Sequence, residues 1–196
     1  VSSYPNLEVF ATYRNAEKAP GLLDLESKYS NRLFPIQCDP LEENQLKQLA
    51  DSIKERRENI DLILVAAGIL HPPGGSPEKS LRNINLAQLQ EVFQVNAFIT
   101  PLVAKHMKKL ISRSEPSALI ALSAMVGSIE DNELGGWYSY RASKTALNMF
   151  IKTIAIEFRR SGYKTHVGAI HPGTTKTELS KDFVATVQHK VWDPPG

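Results

Sequence analysis

The run Asp61-Leu-Ile-Leu-Val-Ala-Ala-Gly68 is apolar at every position after its first. A strand with one wet face alternates polar and apolar residues. An unbroken apolar run reads instead as a strand covered on both faces, as parallel strands between helix layers are. Its surroundings carry the same message. Leu7 to Thr12 and Arg32 to Gln37 read as short buried strands, Ser117 to Ser123 and Thr165 to Ile170 as two more. Helical patterns alternate with them. Pro20 opens one that carries Leu22, Leu23 and Leu25 and ends near Tyr29. Leu41 to about Arg57 places Leu46, Leu49, Ala50 and Ile53 at i, i+3, i+4 and i+7. Leu86 to about Ile111 reads as two helical pieces meeting near Asn96 to Pro101, and Trp137 to Arg160 as one long helix. Strands alternating with helices predict an α/β fold around a doubly wound parallel sheet.

In such sheets ligands bind beyond the carboxyl ends of the strands. Arg14, Asp39, Gly68, Ser123 and Pro172-Gly173 all follow expected strands, so they are expected to line one rim. The loop His71 to Ser80 carries three prolines and two glycines. Met125 to Gly136 is a long irregular connection, and the segment after Gly173 has no clear pattern.

A chain of 196 residues, 42% hydrophobic and 22% charged, suits a single domain with a sizeable core. Its net charge of +2 gives no reason to expect nucleic acid or an anionic membrane as partner. No apolar run reaches the roughly 18 residues that span a bilayer. The lone cysteine, Cys38, excludes an internal disulfide and fits a reducing cytoplasm. No metal site is expected.

The chemistry gathers at Tyr140-Arg-Ala-Ser-Lys144. Residues four apart on a helix share a face, so Tyr140 and Lys144 can point into one space. A phenol titrates near pH ~10. A neighbouring ammonium would lower that value and let the phenol pass protons to a carbonyl oxygen or take them from an alcohol.

Taken together these landmarks resemble the short-chain dehydrogenase/reductase family along nearly the whole chain. The run from Leu122 to Asn148, with Ser123-Ala-Met-Val-Gly-Ser128 and Trp137-Tyr-Ser-Tyr140, is most similar to the C-factor-like and sniffer-like carbonyl reductase branch. The resemblance implies an NAD(P)-dependent oxidoreductase acting on a small carbonyl or alcohol, with NADP(H) preferred over NAD(H). By the same resemblance Tyr140 is the acid/base and Lys144 tunes it while holding the nicotinamide ribose. Asn96 supports the proton relay. Asp39 meets the adenine, or else caps the next helix. Arg14 faces the phosphate on the adenosine ribose, and Ala67 and Gly68 let the cofactor approach. Pro172, Gly173, Thr175 and Thr177 border the nicotinamide. A homodimer through the helices Leu86–Ile111 and Trp137–Arg160 is a further expectation.

Four departures stand against the family pattern. The opening strand and its glycine-rich turn are missing, so the chain is read as a piece preceded by about 30 further residues. Their absence should leave unpaired edges on two neighbouring strands. The fourth-strand motif is Val65-Ala-Ala-Gly68, without its asparagines. Ser123 is followed by Ala124 where relatives carry a second serine, leaving Ser123 or Ser128 as the catalytic hydroxyl. The chain also stops at Pro194-Pro-Gly196, ahead of a last strand. Those losses motivate the alternative of a catalytically silent binding or cell-signalling module.

Overall fold

The structure is a computed structural model that describes residues 4–177, 179–180 and 191–193. The expected alternation is present. Strand β1 is Val9–Tyr13, helix α1 Pro20–Lys28, β2 Leu33–Gln37, α2 Glu43–Arg56 and β3 Leu62–Val65. Helix α3 (Leu86–Phe93) runs through a π-helical turn, Gln94–Phe98, into α4, Ile99–Met107. Then come β4 (Ser117–Leu122), α5 (Tyr138–Arg160) and β5 (Thr165–Ile170). Pro20 takes the first position of α1, where its missing N–H costs nothing. The two helical pieces between Leu86 and Ile111 do meet at Asn96, through the π turn.

All strand pairs are parallel. β1 pairs with β2, Val9 opposite Leu33. β3, β4 and β5 form a second ladder, with Ile63 opposite Leu119 and Leu119 opposite Val167. No ladder joins β1 to β3 among the described residues. Each therefore has a ladder partner on one side only among the described residues, as expected for these two strands.

One core holds the halves together. Leu46, Leu49, Ala50 and Ile53 of α2 pack with Ile63, Val65, Ala104, Met107, Leu119 and Leu147, and Phe10 and Ile36 join from β1 and β2. The i, i+3, i+4, i+7 stripe of α2 is thus its buried face.

The reading of Asp61–Gly68 as covered on both faces needs correction. Only Leu62–Val65 is strand, and Ile63 and Val65 are buried while Leu62 is 60% and Leu64 56% exposed. The helices α2 and α4 cover one face of the ladder, and the face carrying Leu62, Leu64 and Ile170 is open among the described residues. An apolar run tells how a strand can be packed; neighbours decide whether it is.

Beyond β5, Thr174–Thr175 (β6) pairs with Val191–Trp192 (β7), a ladder absent from the sequence reading. The remainder of the segment, Lys181 to Lys190, and the closing Pro194-Pro-Gly196 lie outside the described residues. Among the described residues no helix is long and apolar enough to cross a membrane, and no cluster of three His, Cys, Asp or Glu could hold a metal ion.

Burial on one face only has an energetic consequence. Leu119→Ala, at a fully buried position, should cost about 3 kcal/mol through lost transfer energy and a residual cavity. Leu64→Thr, on the open face, should stay within about 0.5 kcal/mol of wild type. Urea unfolding of both variants measures this; equal losses would mean that both faces are packed.

Candidate functional site

Helix α5 carries the reactive pair because its buried stripe begins at its first turn. Tyr140, Lys144, Leu147 and Ile151 fall at i, i+4, i+7 and i+11, and all four are buried. The apolar end of the stripe packs into the core, so Tyr140 and Lys144 are drawn in with it, at 8% and 3% exposure. Lys144 Nζ lies 5.8 Å from the Tyr140 ring centroid and donates to the Leu122 carbonyl at 2.8 Å. The two side chains thus share one space, as the four-residue spacing predicts.

Asn96 joins this pair from the π turn. Its Nδ2 donates to the Ile69 carbonyl (2.8 Å) and to Ser143 Oγ (3.0 Å), and its Oδ1 accepts from the Ile69 N–H (2.8 Å). It therefore ties the end of β3 to α5, and π turns often mark such sites. Gly68 sits between them. A Cβ there would lie 3.4 Å from Lys144 Nζ and 3.5 Å from Asn96 Oδ1, so a side chain would fill the space beside the ammonium.

The rim carries the other expected residues. Arg14 is exposed at the end of β1, and its carbonyl accepts from Gln37. Asp39 follows β2. Its Oδ1 accepts from the Leu41 N–H, while the cap of α2 is Glu42, so Asp39 shapes a turn and is not the helix cap. Ala67 is exposed beside Gly68. Gly173 has φ +78°, and a Cβ there would press on the Trp192 ring at 3.2 Å. Pro172 precedes it in exposed chain. Ser180 Oγ donates to the Thr175 carbonyl and accepts from the Thr177 N–H, which folds these two threonines into one turn.

Neither serine is brought to the phenol by a hydrogen bond. Ser123 Oγ donates to Asn148 Oδ1 at 2.7 Å, and Ser128 Oγ accepts from the Asp131 N–H. Sequence reasoning passed over Asn148, Ser143, Glu78 and Gly127. Gly127 carried a signal in hindsight: a Cβ there would meet Lys144 Cβ at 2.9 Å, so only glycine lets the loop pass α5 this closely.

The electrostatics reverse one expectation. Burial pushes the Tyr140 phenol up to about 12, and burial pulls the Lys144 ammonium down to about 8. The ammonium lies over the face of the ring, so desolvation of the phenol prevails over its attraction. Tyr140 therefore holds its proton through neutral pH, and Lys144 is the group that exchanges one there. A separate groove of about 560 Å³ runs along the other side of α5 between Val126 and Met149, with Arg141 and Thr145 in its wall.

Comparison with known proteins sets this geometry in context. Residues 5–192 match the family described as Enoyl-(Acyl carrier protein) reductase. The benzil reductase ((S)-benzoin forming) IRC24 of Saccharomyces cerevisiae is 28% identical over 177 residues, covering 89% of this chain and 65% of its own. The chain spans 61% to 65% of the length of the first curated relatives that it matches. The NADPH-bound carbonyl reductase from chicken fatty liver superposes with a TM-score of 0.77 at 29% identity, covering 90% of this chain and 72% of that one. The carbonyl reductase Sniffer of D. melanogaster, at 24% identity and a TM-score of 0.83 over 97% of this chain and 76% of its own, shares the fold.

The buried lysine makes stability depend on pH in a defined direction. Unfolded, Lys144 keeps its proton up to about 10.5; folded, only up to about 8. Between these values the unfolded state binds more protons, so stability rises with pH. Above pH 10 Tyr140 opposes it, because the folded phenol keeps a proton that the unfolded one loses. From pH 7.5 to 9.5 the wild type should gain about 2 kcal/mol relative to Lys144→Met. Paired urea titrations read the difference, and parallel curves for the two proteins would contradict it.

Proposed function

The chain belongs to the short-chain dehydrogenase/reductase family, and from that premise we propose that it is the body of an NADP-preferring carbonyl reductase with Tyr140 as proton donor. The observation that carries this reading is the buried Tyr140–Lys144 pair, held against Asn96 and the side-chain-free Gly68 at the end of a parallel strand.

The residues present fit a dinucleotide along the rim. Arg14 would meet a ribose phosphate with its forked guanidinium, Asp39 the adenine, and Ala67 and Gly68 the ribose and nicotinamide side. Lys144 would hold the nicotinamide ribose, and Pro172, Gly173, Thr175 and Thr177 would border the ring. The space a Cβ at Gly68 would fill, beside Lys144 Nζ and Asn96 Oδ1, is the feature of this chain that suits close approach of a polar ligand. When bound, the nicotinamide supplies the hydride.

The chain's own residues manage the proton. Tyr140, still protonated at neutral pH, donates its hydroxyl proton to the carbonyl oxygen as that oxygen gains charge. Lys144, titrating near 8, stabilises the phenolate left behind and restores its proton. Asn96 keeps both aligned by fixing Ser143, the residue before Lys144, to the strand end. Substrate is a small-molecule carbonyl or alcohol.

One observation favours a second reading. Ser123 Oγ donates to Asn148 Oδ1 and Ala124 follows it, so the hydroxyl favoured for catalysis is engaged within the protein. A module that binds NADPH and turns nothing over would tolerate this.

Steady-state assays of the full-length protein with NADPH, NADH and a panel of aldehydes and ketones separate the two. Tyr140→Phe should lower kcat/KM by about 100-fold or more while still binding NADPH, and Arg14→Ala should narrow the preference for NADPH by about tenfold. Saturable NADPH binding with no carbonyl reduced would support the silent module, and Tyr140→Phe as fast as wild type would remove the proton-donor role. The homodimer reading draws on Phe98, at the end of the π turn, and Met149 of α5, both exposed. Sedimentation velocity is expected to give a dimer that Met149→Lys dissociates, and a monomeric wild type would reject it.

A further inference from the structure

Glu78 lies in the proline-rich loop between β3 and α3, where an acidic residue would ordinarily stand in water. It is 1% exposed. Its Oε1 accepts from Gln88 Nε2 at 2.8 Å and its Oε2 from the Ser139 N–H at 3.3 Å, while its carbonyl accepts from the Trp137 N–H at 2.5 Å. Both N–H groups belong to the start of α5. That start lacks a cap of its own, since Trp137 is the cap residue and has no side-chain bond to the helix. Glu78 supplies the cap from another loop, satisfying backbone groups that the helix cannot. Burial pushes its carboxyl up, but donors from Ser139 and Gln88 outweigh that and hold it below the usual carboxylate range. It is thus an anion at the positive end of α5.

The chain around this contact is strained. Gly135, Gly136 and Trp137 take successive left-handed φ values of 62°, 66° and 50°. Such a conformation is costly for tryptophan and persists only where its surroundings impose it. Gly136 packs directly on the Glu78 carbonyl, where a Cβ would lie 3.4 Å away. The Trp137 ring then meets the Tyr140 ring edge-on, centroids 6.2 Å apart at 73°.

We propose that Glu78 is a positioning residue for the reaction assigned above: by clamping Trp137 and Ser139 it sets the first turn of α5 and so the aim of the Tyr140 phenol. The inference rests on the carbonyl-reductase reading for its kinetic consequence and on the clamp alone for its structural one. What matters is the reach of the side chain. Glu78→Asp keeps the charge and the backbone bond to Trp137 but withdraws the carboxylate by one methylene from Ser139. Glu78→Gln keeps the reach and an acceptor oxygen but loses the charge.

The experiment uses the full-length protein. It measures kcat and KM for a reduced carbonyl substrate, the NADPH dissociation constant by calorimetry, and amide hydrogen exchange at residues 137–140. Glu78→Asp should lower kcat by about 10- to 100-fold, the scale of a small misplacement of a reacting group. KM and the NADPH constant should stay within about twofold, with faster exchange at Ser139. Glu78→Gln should recover kcat to within about fivefold of wild type. Overturning results are a Glu78→Asp kcat within twofold of wild type, a Glu78→Gln loss larger than that of Glu78→Asp, or faster exchange spread over the whole chain with KM and NADPH binding weakened in step. Should wild type reduce nothing, the carbonyl-reductase reading falls by itself; exchange then decides the clamp, which unchanged protection in Glu78→Asp overturns.

Discussion

Lys144 is almost fully withdrawn from water, and its Nζ donates to the Leu122 carbonyl. Taking an ammonium out of water costs several kcal/mol unless partners compensate. The site is built around that cost. The Leu122 carbonyl ends β4, so the lysine reads the strand terminus directly. Gly68 and Gly127 offer no side chains where Lys144 needs room. The lowered affinity of Lys144 for its proton follows from the same burial, as does the raised affinity of Tyr140. One desolvated pocket therefore separates a proton holder from a proton exchanger, burial being the cause of both shifts.

The second constraint is mechanical. Asn96 satisfies both the N–H and the carbonyl of Ile69, and then reaches Ser143 on α5. To do so its helix widens into a π turn. The backbone irregularity is thus what lets one side chain join the end of β3 to the helix beside it. Removing the Asn96 amide would leave the partly buried N–H and carbonyl of Ile69 without this partner at once, which costs more than the bonds themselves are worth where water cannot replace it.

How far the sequence foretold this differs from residue to residue. The strand and helix order was legible because apolar spacing is a local signal, and Tyr140 with Lys144 was legible because a helix makes four-residue neighbours predictable. The break near Asn96 showed as a disturbed period. The open face of β3 did not show, because Leu62 and Leu64 look the same whether or not something packs on them. Glu78 was passed over, since its partners Ser139 and Gln88 are 61 and 10 residues away. Likewise the turn of Ser123 toward Asn148 depends on a contact 25 residues distant. The lowered phenol value expected from a neighbouring ammonium failed because spacing reveals proximity but not hydration.

The two tryptophans of the chain, Trp137 and Trp192, both sit on the rim. One faces the Tyr140 ring and the other closes over Gly173 at the end of β5. The tryptophan emission of these 196 residues therefore originates on this rim. The Trp137 indole lies 6.2 Å from the Tyr140 ring between centroids, close enough to accept excitation from it, so its emission is expected to respond when that ring is removed.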